Sequence, residues 1–526
     1  MENAALVDEL KTENAALRSE LSALKSENAE INSKLAWLME ILSGNRRKMF
    51  GSSSEKGIYD QVGLFEETVA EVQLIDKPEK KKNQPKKQGE LSSKLPKDIP
   101  VEIIECVLPE DKQDCPECGG PLHSIGSEVA RRDFKIIPAR AVITEYKRFA
   151  YSCRACDKVS GDKPVPVIKA ELPPQLIKGS MCAPETAAHL IVEKCIMGSP
   201  LYRQEAQWNR IGIQITRQTM ANWLIRCSED YLEPIYDELH RRLIQHRFLH
   251  SDGTNFQVLR EPGKSAQSQS HMWIYRTSGD ARHPIVLYNY QPDKTKERPR
   301  DFLKGFSGYL MTDGYAAYHS LPEDIIVVGC FSHARRGFVD ALRAIKDEKD
   351  RVGSLALIGR DYCDELFRIE REMGDVSFDE RYVIRLEKAM PILKEFHSWL
   401  LSVHPKTAAK SAIGKAINYT IKQWKYLERY LMDGCIELSN NRCERTAKSF
   451  VINRKNFLFA TSVAGAHAAA VLHSITETAK DNNLNPFEYL THVFRTAAGI
   501  DLRHNPEMIV SLLPENAPSA CRVGEQ

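Results

Sequence analysis

The sequence lacks three features, each of which would by itself indicate a class of protein. It has no run of about 18 apolar residues, so no membrane-spanning helix is expected. Its polar, acidic N-terminus has no apolar signal-peptide core, so a cytoplasmic protein is expected. It has no large net charge either, because 73 basic and 71 acidic residues leave only +2. Any nucleic-acid site must therefore lie in local clusters of charge.

The chain has ample material for several folded domains. Its 526 residues with 42% hydrophobic content can bury three or four separate cores. In a reducing compartment, its 13 cysteines are expected to be free thiols or metal ligands and not a disulfide framework.

The N-terminal segment, residues 1–45, repeats its apolar residues in sevens. Leu10, Leu17 and Leu24 share one heptad position, and Glu13 and Arg18 occupy the flanking positions that meet across a parallel pair. This pattern predicts a coiled-coil helix that forms a homodimer or a higher oligomer. The alternative is a single amphipathic helix that packs on its own domain.

Residues 46–100 are predicted to be a basic, flexible linker. Within them "KPEKKKNQPKKQGELSSKLPK" has eight lysines against two glutamates and little apolar surface, so folding would not repay its ordering entropy. The same charge is also compatible with non-specific DNA binding through counterion release.

Residues 101–165 contain two Cys-x2-Cys knuckles. Four thiolates can surround a structural Zn²⁺ tetrahedrally, and the alternating run between the knuckles predicts the hairpin of a zinc ribbon. Four unrelated thiols, or redox pairs, are the alternatives. The predicted zinc ligands are Cys115, Cys118, Cys153 and Cys156.

Residues 166–245 have a helical pattern with a helix-turn-helix outline. The run "PLYRQEAQWNRIGIQITRQTMANWLIRCSED" predicts one helix, a turn at Gly212, and a second helix capped by Thr216. Its inward face is predicted to be Met220, Trp223, Leu224 and Cys227. A second helix of this kind can enter a DNA major groove, although any all-helical domain can produce the same outline.

The remaining chain predicts a mixed α/β domain that a helical insertion divides. Residues 246–340 contain three meandering strand-like runs followed by alternating helix and strand. Residues 341–434 are almost purely helical, and residues 435–526 form the second part with a C-terminal tail. A short strand is expected at "GCIEL", before a final helix that begins near residue 440.

Three acids in this domain are candidate metal ligands. Asp252 and Asp313 both precede glycine, which ordinarily indicates a turn, but Asp252 is flanked by strand-like residues. Glu444 is the single acid in "NNRCERTAKSFVINRKN", where it is either a surface ion-pair partner of Lys448 or a metal ligand. Asn441 lies one turn earlier on the same helix face and is expected to orient Glu444, whereas Cys330 is expected to be a small core residue. Two aspartates and a glutamate on adjacent elements could hold a pair of Mg²⁺ or Mn²⁺ ions for phosphoryl transfer.

The order of these segments, with "TDGYAAY", "CFSHARRGF" and the stretch around Glu444, resembles the DDE transposases of the insertion-sequence 66 family. The resemblance covers nearly the whole chain and implies a ribonuclease-H-like catalytic fold with catalytic Asp252, Asp313 and Glu444. It implies transposon-end DNA and target DNA as partners, a nucleoid association, and small accessory proteins as further candidates. Where relatives commonly read Asp-Glu-Thr, this chain has Gly253 after Asp252.

Basic residues near these acids are predicted to bind DNA. The resemblance places the "HARR" motif close to the active site, and the basic stretch would hold the phosphate backbone. The alternative for "HARR" is a helix start with solvated arginines. The predicted DNA-binding residues are His333, Arg335, Arg336, Arg442, Arg445, Lys448, Arg454 and Lys455.

Two other functions are compatible with parts of the sequence. A dimeric zinc-containing DNA-binding regulator, or a degenerate transposase without catalysis, would account for every feature before residue 246. A nuclease of the same fold would cut DNA without joining strands.

Removal of residues 1–42 is expected to leave a folded protein that associates weakly, because the heptads would supply most of the dimer affinity. Sedimentation at micromolar concentration should show a shift toward monomer. A truncated protein that remains fully dimeric would show that the main interface lies elsewhere.

Overall fold

The structure is a computed structural model that describes residues 141–152 and 167–524. The predicted coiled coil, the basic linker and all four predicted zinc ligands lie outside the described residues. The chain divides into two compact units, one of which contains residues 175–522. In the other unit, strands β1 (Ala150–Ser152) and β2 (Val167–Lys169) pair antiparallel, with Ala150 opposite Lys169.

The larger unit begins with four helices. They are α1 (Pro184–Cys195), α2 (Leu201–Arg210), α3 (Arg217–Cys227) and α4 (Glu233–Leu243).

Helices α2 and α3 occupy the segment for which the sequence predicts a helix, a turn and a second helix. Gly212 lies in the turn with φ +85°, a conformation that glycine adopts without steric cost. The Thr216 side chain accepts a hydrogen bond from the Thr219 backbone N–H and so caps α3. The Arg217 N–H donates to Glu205 Oε1 (2.9 Å), which joins the two helices. The predicted inward residues of α3 are all buried, namely Met220, Trp223, Leu224 and Cys227.

A six-stranded mixed sheet forms the centre of this unit. Its main strands follow the order β5-β4-β3-β6-β7, and β8 pairs with the far end of β3. Strands β3, β4 and β5 form the predicted antiparallel meander, whereas β6 and β7 run parallel to β3. The strands are β3 (Phe248–Arg260), β4 (Gln269–Thr277), β5 (Val286–Gln291), β6 (Gly308–Thr312), β7 (Ile325–Gly329) and β8 (Ala460–Ser462).

Helices connect and cover these strands, and six of them lie between β7 and residue 434. In chain order they are α5 (Glu297–Phe302), α6 (Phe331–Ala344), α7 (Glu348–Arg351), α8 (Leu355–Met373), α9 (Phe378–Ile384), α10 (Met390–Val403), α11 (Ala412–Leu427), α12 (Asn441–Phe457), α13 (Val463–Asp481), α14 (Pro486–Ala497) and α15 (Pro506–Ser511). Across the described ranges, none of the helices has the length and apolar character needed to cross a membrane.

Alternation along the strands divides the core between the two faces of the sheet. Leu249 and Trp273 point to the face covered by α1, α3, α4, α13 and α14. Phe256 and Ile274 point to the opposite face, where Phe450 of α12 packs against them. Met311 also points to this second face, beneath α6 and the inserted helices. Residues of β3 with even numbers therefore face α12 and α6.

Side chains of α13 form hydrogen bonds with the backbone of β5, the strand at one edge of the sheet. The backbone N–H groups of Val286 and Tyr288 donate to the hydroxyls of Thr478 (3.0 Å) and Ser474 (2.8 Å), respectively. An edge strand presents unpaired backbone groups that invite aggregation, and α13 covers them here.

Two details of the predicted secondary structure were wrong. The "GCIEL" segment forms no strand: the Ile436 carbonyl accepts from the Arg385 side chain, and the Leu438 carbonyl accepts from the Phe331 N–H at the start of α6. The fully buried Arg385 guanidinium donates to the carbonyls of Tyr430, Asp433 and Ile436 (2.8–3.2 Å). In addition, α12 is not the final helix, since α13, α14 and α15 follow it.

Arg385 is expected to be important for the stability of the insertion. It also makes a bidentate ion pair with Glu370 (2.7 and 2.8 Å). The change Arg385→Ala would leave a carboxylate and three carbonyls without a donor, so the free energy of unfolding should fall by about 3–5 kcal/mol. Urea denaturation would measure this loss, with Arg371→Ala, an exposed arginine of α8, as the control. An equal loss in both variants would contradict the assigned role.

Candidate active site

The register of β3 and β6 brings two aspartates together. The parallel pairing aligns His250 with Met311, so the same register continued by two residues places Asp252 beside Asp313. Neighbouring strands lie about 4.8 Å apart, and both side chains point to the face that carries α12. Asp252 lies inside β3, as predicted, and not in a turn.

Asp313 lies at the end of β6, where the chain turns sharply. Its Oδ1 accepts the Tyr315 backbone N–H (2.9 Å), and Gly314 adopts φ +88°. A Cβ at Gly314 would lie 2.9 Å from the Gln423 side-chain amide carbon, so glycine is required for both conformation and space. The loop is also held from α11, where the Tyr419 hydroxyl donates to the Asp313 carbonyl (3.0 Å).

Glu444 approaches the two aspartates from the first turn of α12. Buried Cys443, Ala447 and Phe450 fix this helix on the sheet, and Glu444 lies on the flank beside them. The Arg336 guanidinium of α6 donates to Glu444 Oε2 (2.9 Å), and His333 Nδ1 lies 3.5 Å from Oε1. Within the described residues, Glu444 Oε1 is buried and has no hydrogen-bond partner.

Asn440 fixes where α12 begins. Its side-chain amide donates to the Ser251 carbonyl (2.9 Å) and accepts from His250 Nδ1 (3.0 Å), both in β3. Its backbone N–H donates to Cys330 Sγ (3.1 Å) at the start of α6. One buried residue thus connects the elements that carry Asp252, His333 and Glu444.

Sequence reasoning missed the positioning role of Asn440 and treated Cys330 only as a small core residue. Cys330 is indeed buried, but its Sγ also lies within 4.8 Å of ligand atoms on His333 and Glu444. The partners of Asn440 lie nearly 190 residues away in sequence, so the local pattern could not reveal them. The adjacent Asn441 was expected to orient Glu444, but its Oδ1 makes no hydrogen bond among the described residues.

The electrostatics of the site disfavour the simultaneous ionisation of all three carboxylates. Burial, and then the charge of Asp313, raise the pKa of Asp252 to about 8, and Glu444 adds to this rise. The Gly253 backbone N–H (2.7 Å from Oδ1) opposes the shift only in part. A cation between the carboxylates would relieve this repulsion.

The donor set fits a divalent metal ion of the hard, oxygen-preferring type. Asp252 and Asp313 offer carboxylate oxygens on adjacent strands, and the unpartnered Glu444 Oε1 offers another. Mg²⁺ and Mn²⁺ prefer such ligands. Asp252, Asp313 and Glu444 are therefore the residues that would hold the metal.

The "HARR" residues point in two directions. His333 and Arg336 lie at Glu444, as described above. Arg335 instead pairs with Asp364 of α8, so the structure does not bring its guanidinium to the carboxylates.

The basic residues of α12 also lie on different flanks of the helix. Arg442 is about 200° and Arg445 about 100° around the helix from Glu444. Arg442 pairs with Glu437 (3.1 Å), and both arginines line a separate cavity of about 370 Å³ together with Arg276 and Lys480. Burial, and then the charges of Arg442 and Arg276, lower the pKa of Arg445.

Lys448 and Lys455 share the flank of Glu444, one and three turns further along α12. Lys455 is exposed and Lys448 is half-buried. Arg454 turns toward the sheet, where it donates to the Thr254 hydroxyl (3.2 Å). Of the five predicted cations in this helix, the two lysines are therefore the ones beside the acid.

Gly253 is the residue that departs from the common Asp-Glu-Thr pattern. The His271 ring on β4 occupies the space that a side chain at residue 253 would need. A Cβ at residue 253 would collide with the His271 Nε2. The imidazole is buried, and its ring centroid lies 4.7 Å from that of Trp273. Burial lowers the pKa of His271 to about 4, so the ring is neutral near pH 7.

The change Gly253→Ala is expected to reduce the free energy of unfolding by about 1–3 kcal/mol, because the added methyl overpacks this region. In a His271→Ala background the obstacle is gone, so the same change should cost at least about 1 kcal/mol less. Urea denaturation of the four proteins in this cycle measures the coupling. Additive effects would show that residues 253 and 271 do not compete for space.

Family comparisons agree with this organisation. Residues 179–468, more than half of the chain, match the family model "Transposase IS66 family". Residues 112–157 match "zinc-finger binding domain of transposase IS66", and residues 474–514 match "IS66 C-terminal element". Residues 37–104, which include the whole of the predicted linker, match "Transposase C of IS166 homeodomain".

Similar proteins occur in Sinorhizobium fredii. The uncharacterized protein y4jD is 29% identical over 434 residues, which is 80% of this chain and 81% of y4jD. The uncharacterized protein y4qI is 28% identical over 512 residues, which is 92% of this chain and 90% of y4qI. With four family matches in the expected order, the chain belongs to the IS66 transposase family and carries its DNA-binding zinc-finger domain.

Proposed function

We propose that the chain cleaves DNA strands at the ends of an insertion sequence and transfers them into target DNA. The proposal is supported by the strand register that aligns Asp252 with Asp313 and by the charge of Glu444, which acts on Asp252 and whose Oε1 has no hydrogen-bond partner among the described residues. Such a carboxylate set on a mixed sheet suits a ribonuclease-H-like, metal-dependent phosphoryl transfer.

Each residue of the site has a distinct role in this proposal. Asp252, Asp313 and Glu444 hold the metal, which when bound supplies Lewis-acid polarisation of the scissile phosphate and activation of the attacking hydroxyl. Arg336 holds Glu444 through its Oε2 and leaves Oε1, which lies 3.5 Å from His333 Nδ1, without a hydrogen bond to a described residue. Asn440 sets the start of α12, and Tyr419 holds the Asp313 loop.

Basic residues around the carboxylates would position the DNA backbone. Lys448 and Lys455 lie on the Glu444 flank of α12 and would contact phosphates beside the scissile bond. His333 lies between these elements, and burial lowers its pKa although neighbouring Glu444 opposes the shift. A neutral imidazole at this position can donate a hydrogen bond without adding charge.

The N-terminal segments would recognise the element ends and assemble the protein. We assign structural Zn²⁺ to Cys115, Cys118, Cys153 and Cys156, which lie within the matched zinc-finger range. Helix α3 would act as the recognition helix, since Arg217, Gln218 and Asn222 are exposed on its outer face. The heptads of residues 1–45 would pair two chains.

The test is a Mg²⁺-dependent cleavage and joining assay on end-sequence DNA with the Glu444→Gln protein. The change keeps the shape of the side chain but removes an anionic ligand, so both reactions should fall by roughly a hundredfold or more. DNA binding, measured in parallel without metal, should persist. Asp252→Asn and Asp313→Asn should behave alike, and their combination should add little, because the three acids act as one unit.

The control is Glu372→Gln, which removes the same charge from an exposed side chain of α8, far from α12 in sequence. Normal cleavage by the Glu444→Gln protein would reject the triad. Loss of cleavage in the control as well would point to a general effect of charge. Cleavage without joining in the wild-type protein would identify a nuclease.

A further inference from the structure

Helix α11 of the insertion has an unusual distribution of charge. Its sequence, AIGKAINYTIKQWKYL, contains three lysines and no acid. Lys415, Lys422 and Lys425 fall within a stripe about 80° wide on one side of the helix. All three are exposed, and none of them forms an ion pair with a described residue, although the Lys425 ammonium lies 4.7 Å from the centroid of the Tyr426 ring. We call these three residues the lysine stripe.

A neighbouring helix of the same insertion shows what an ordinary solvated face looks like in this protein. Helix α8 carries Arg360 and Arg368, and each lies beside acids of its own helix. Arg360 contacts Asp361 and Asp364, and Arg368 contacts Glu365 and Glu372. The charges of α8 are therefore neutralised locally, whereas those of the lysine stripe are not.

The helix that bears the lysine stripe is held directly against the candidate active site. Tyr419 donates to the Asp313 carbonyl (3.0 Å), and the Gln423 amide donates to the Gly314 carbonyl (3.4 Å). Both residues lie on the flank adjacent to the stripe. On this same flank α11 packs closely on α6, where a Cβ at Gly337 would lie 3.1 Å from that of Ala416. These contacts fix the lysines relative to Asp313.

The length of the stripe suits a DNA backbone. Lys415 and Lys425 are ten residues apart, or about 15 Å along the helix. Since phosphates on one strand of duplex DNA are spaced about 3.4 Å along the axis, the stripe spans roughly four base pairs. Lysines act as point charges toward phosphates and need no particular base sequence.

We propose that Lys415, Lys422 and Lys425 of α11 form a second, sequence-independent site for the DNA phosphate backbone, which leads the duplex to the Asp313 loop. This inference rests on the proposed function only in that the ligand is DNA. It assigns to the helical insertion a direct role in holding the substrate.

The experiment compares the salt dependence of DNA binding for the full-length wild-type chain and the triple variant Lys415→Gln, Lys422→Gln, Lys425→Gln. Binding is measured without divalent metal, so the result is independent of cleavage and of the catalytic triad. Each lost phosphate contact flattens the plot of log K against log salt by about 0.9, so the triple variant should lose a slope of roughly 2 to 3. The slope counts all contacts, so DNA binding elsewhere in the chain does not hide the loss.

The matched control replaces Lys349, Lys388 and Lys394 by glutamine. These three exposed lysines lie in the same insertion but on three other helical segments, and the change in net charge is identical. The control should keep the wild-type slope. An equal loss in the control, or an unchanged slope in the stripe variant, would overturn the proposal.

Two duplexes identify the source of the phosphates. A change of slope with end-sequence DNA alone would show that the stripe holds the transposon end, and a change with an unrelated duplex as well would show that it also accepts target DNA. A photocrosslinking amino acid in place of Lys422 should attach to DNA, whereas the same group in place of Arg368 on α8 should not. Failure of the residue 422 derivative to crosslink with either duplex would count against the site.

Discussion

The side chain and backbone of Asn440 provide the contact on which the geometry of the candidate site depends. This buried residue bonds to two positions of β3 and to Cys330 at the start of α6. It therefore determines the height at which α12 begins on the sheet, and with it the position of Glu444 one turn later. A helix packed only by Phe450 and its apolar neighbours could slide along the sheet, but a satisfied buried amide allows one register.

That register concentrates negative charge in a partly buried place. Strand pairing fixes Asp252 beside Asp313, and α12 adds a third carboxylate, although burial and mutual repulsion both oppose ionisation. The single ion pair with Arg336 offsets only part of this cost, because it occupies one Glu444 oxygen and leaves the other without a donor. A divalent cation held by these carboxylates would offset this cost of ionisation.

The local sequence pattern was sufficient to predict helices and strands, but it could not predict contacts between residues that lie far apart in the sequence. Alternation identified the meander, and the polar residue within β3 was correctly distinguished from a turn at Asp252-Gly253. The cap at Thr216 followed from residue type and position. The strand predicted at "GCIEL" was wrong because the Ile436 carbonyl bonds to Arg385, about fifty residues earlier, and no local pattern encodes such a partner. By contrast, the helical period alone could have separated Arg442 and Arg445 from Glu444.

The division of the basic residues changes where DNA contact is expected. The stretch around Glu444 looks uniformly cationic in sequence, but the helix separates its basic residues. Two lysines lie beside the acid, one arginine bonds to the sheet, and two arginines line a separate cavity. The carboxylates repel the phosphates of DNA, so these two lysines alone would have to bind a substrate that the neighbouring negative charge repels. In the proposed DNA site, the lysines of α11 would add positive charge near the Asp313 loop, to which this helix is held through Tyr419 and Gln423. The insertion would then contribute to the electrostatic attraction of DNA toward the candidate site.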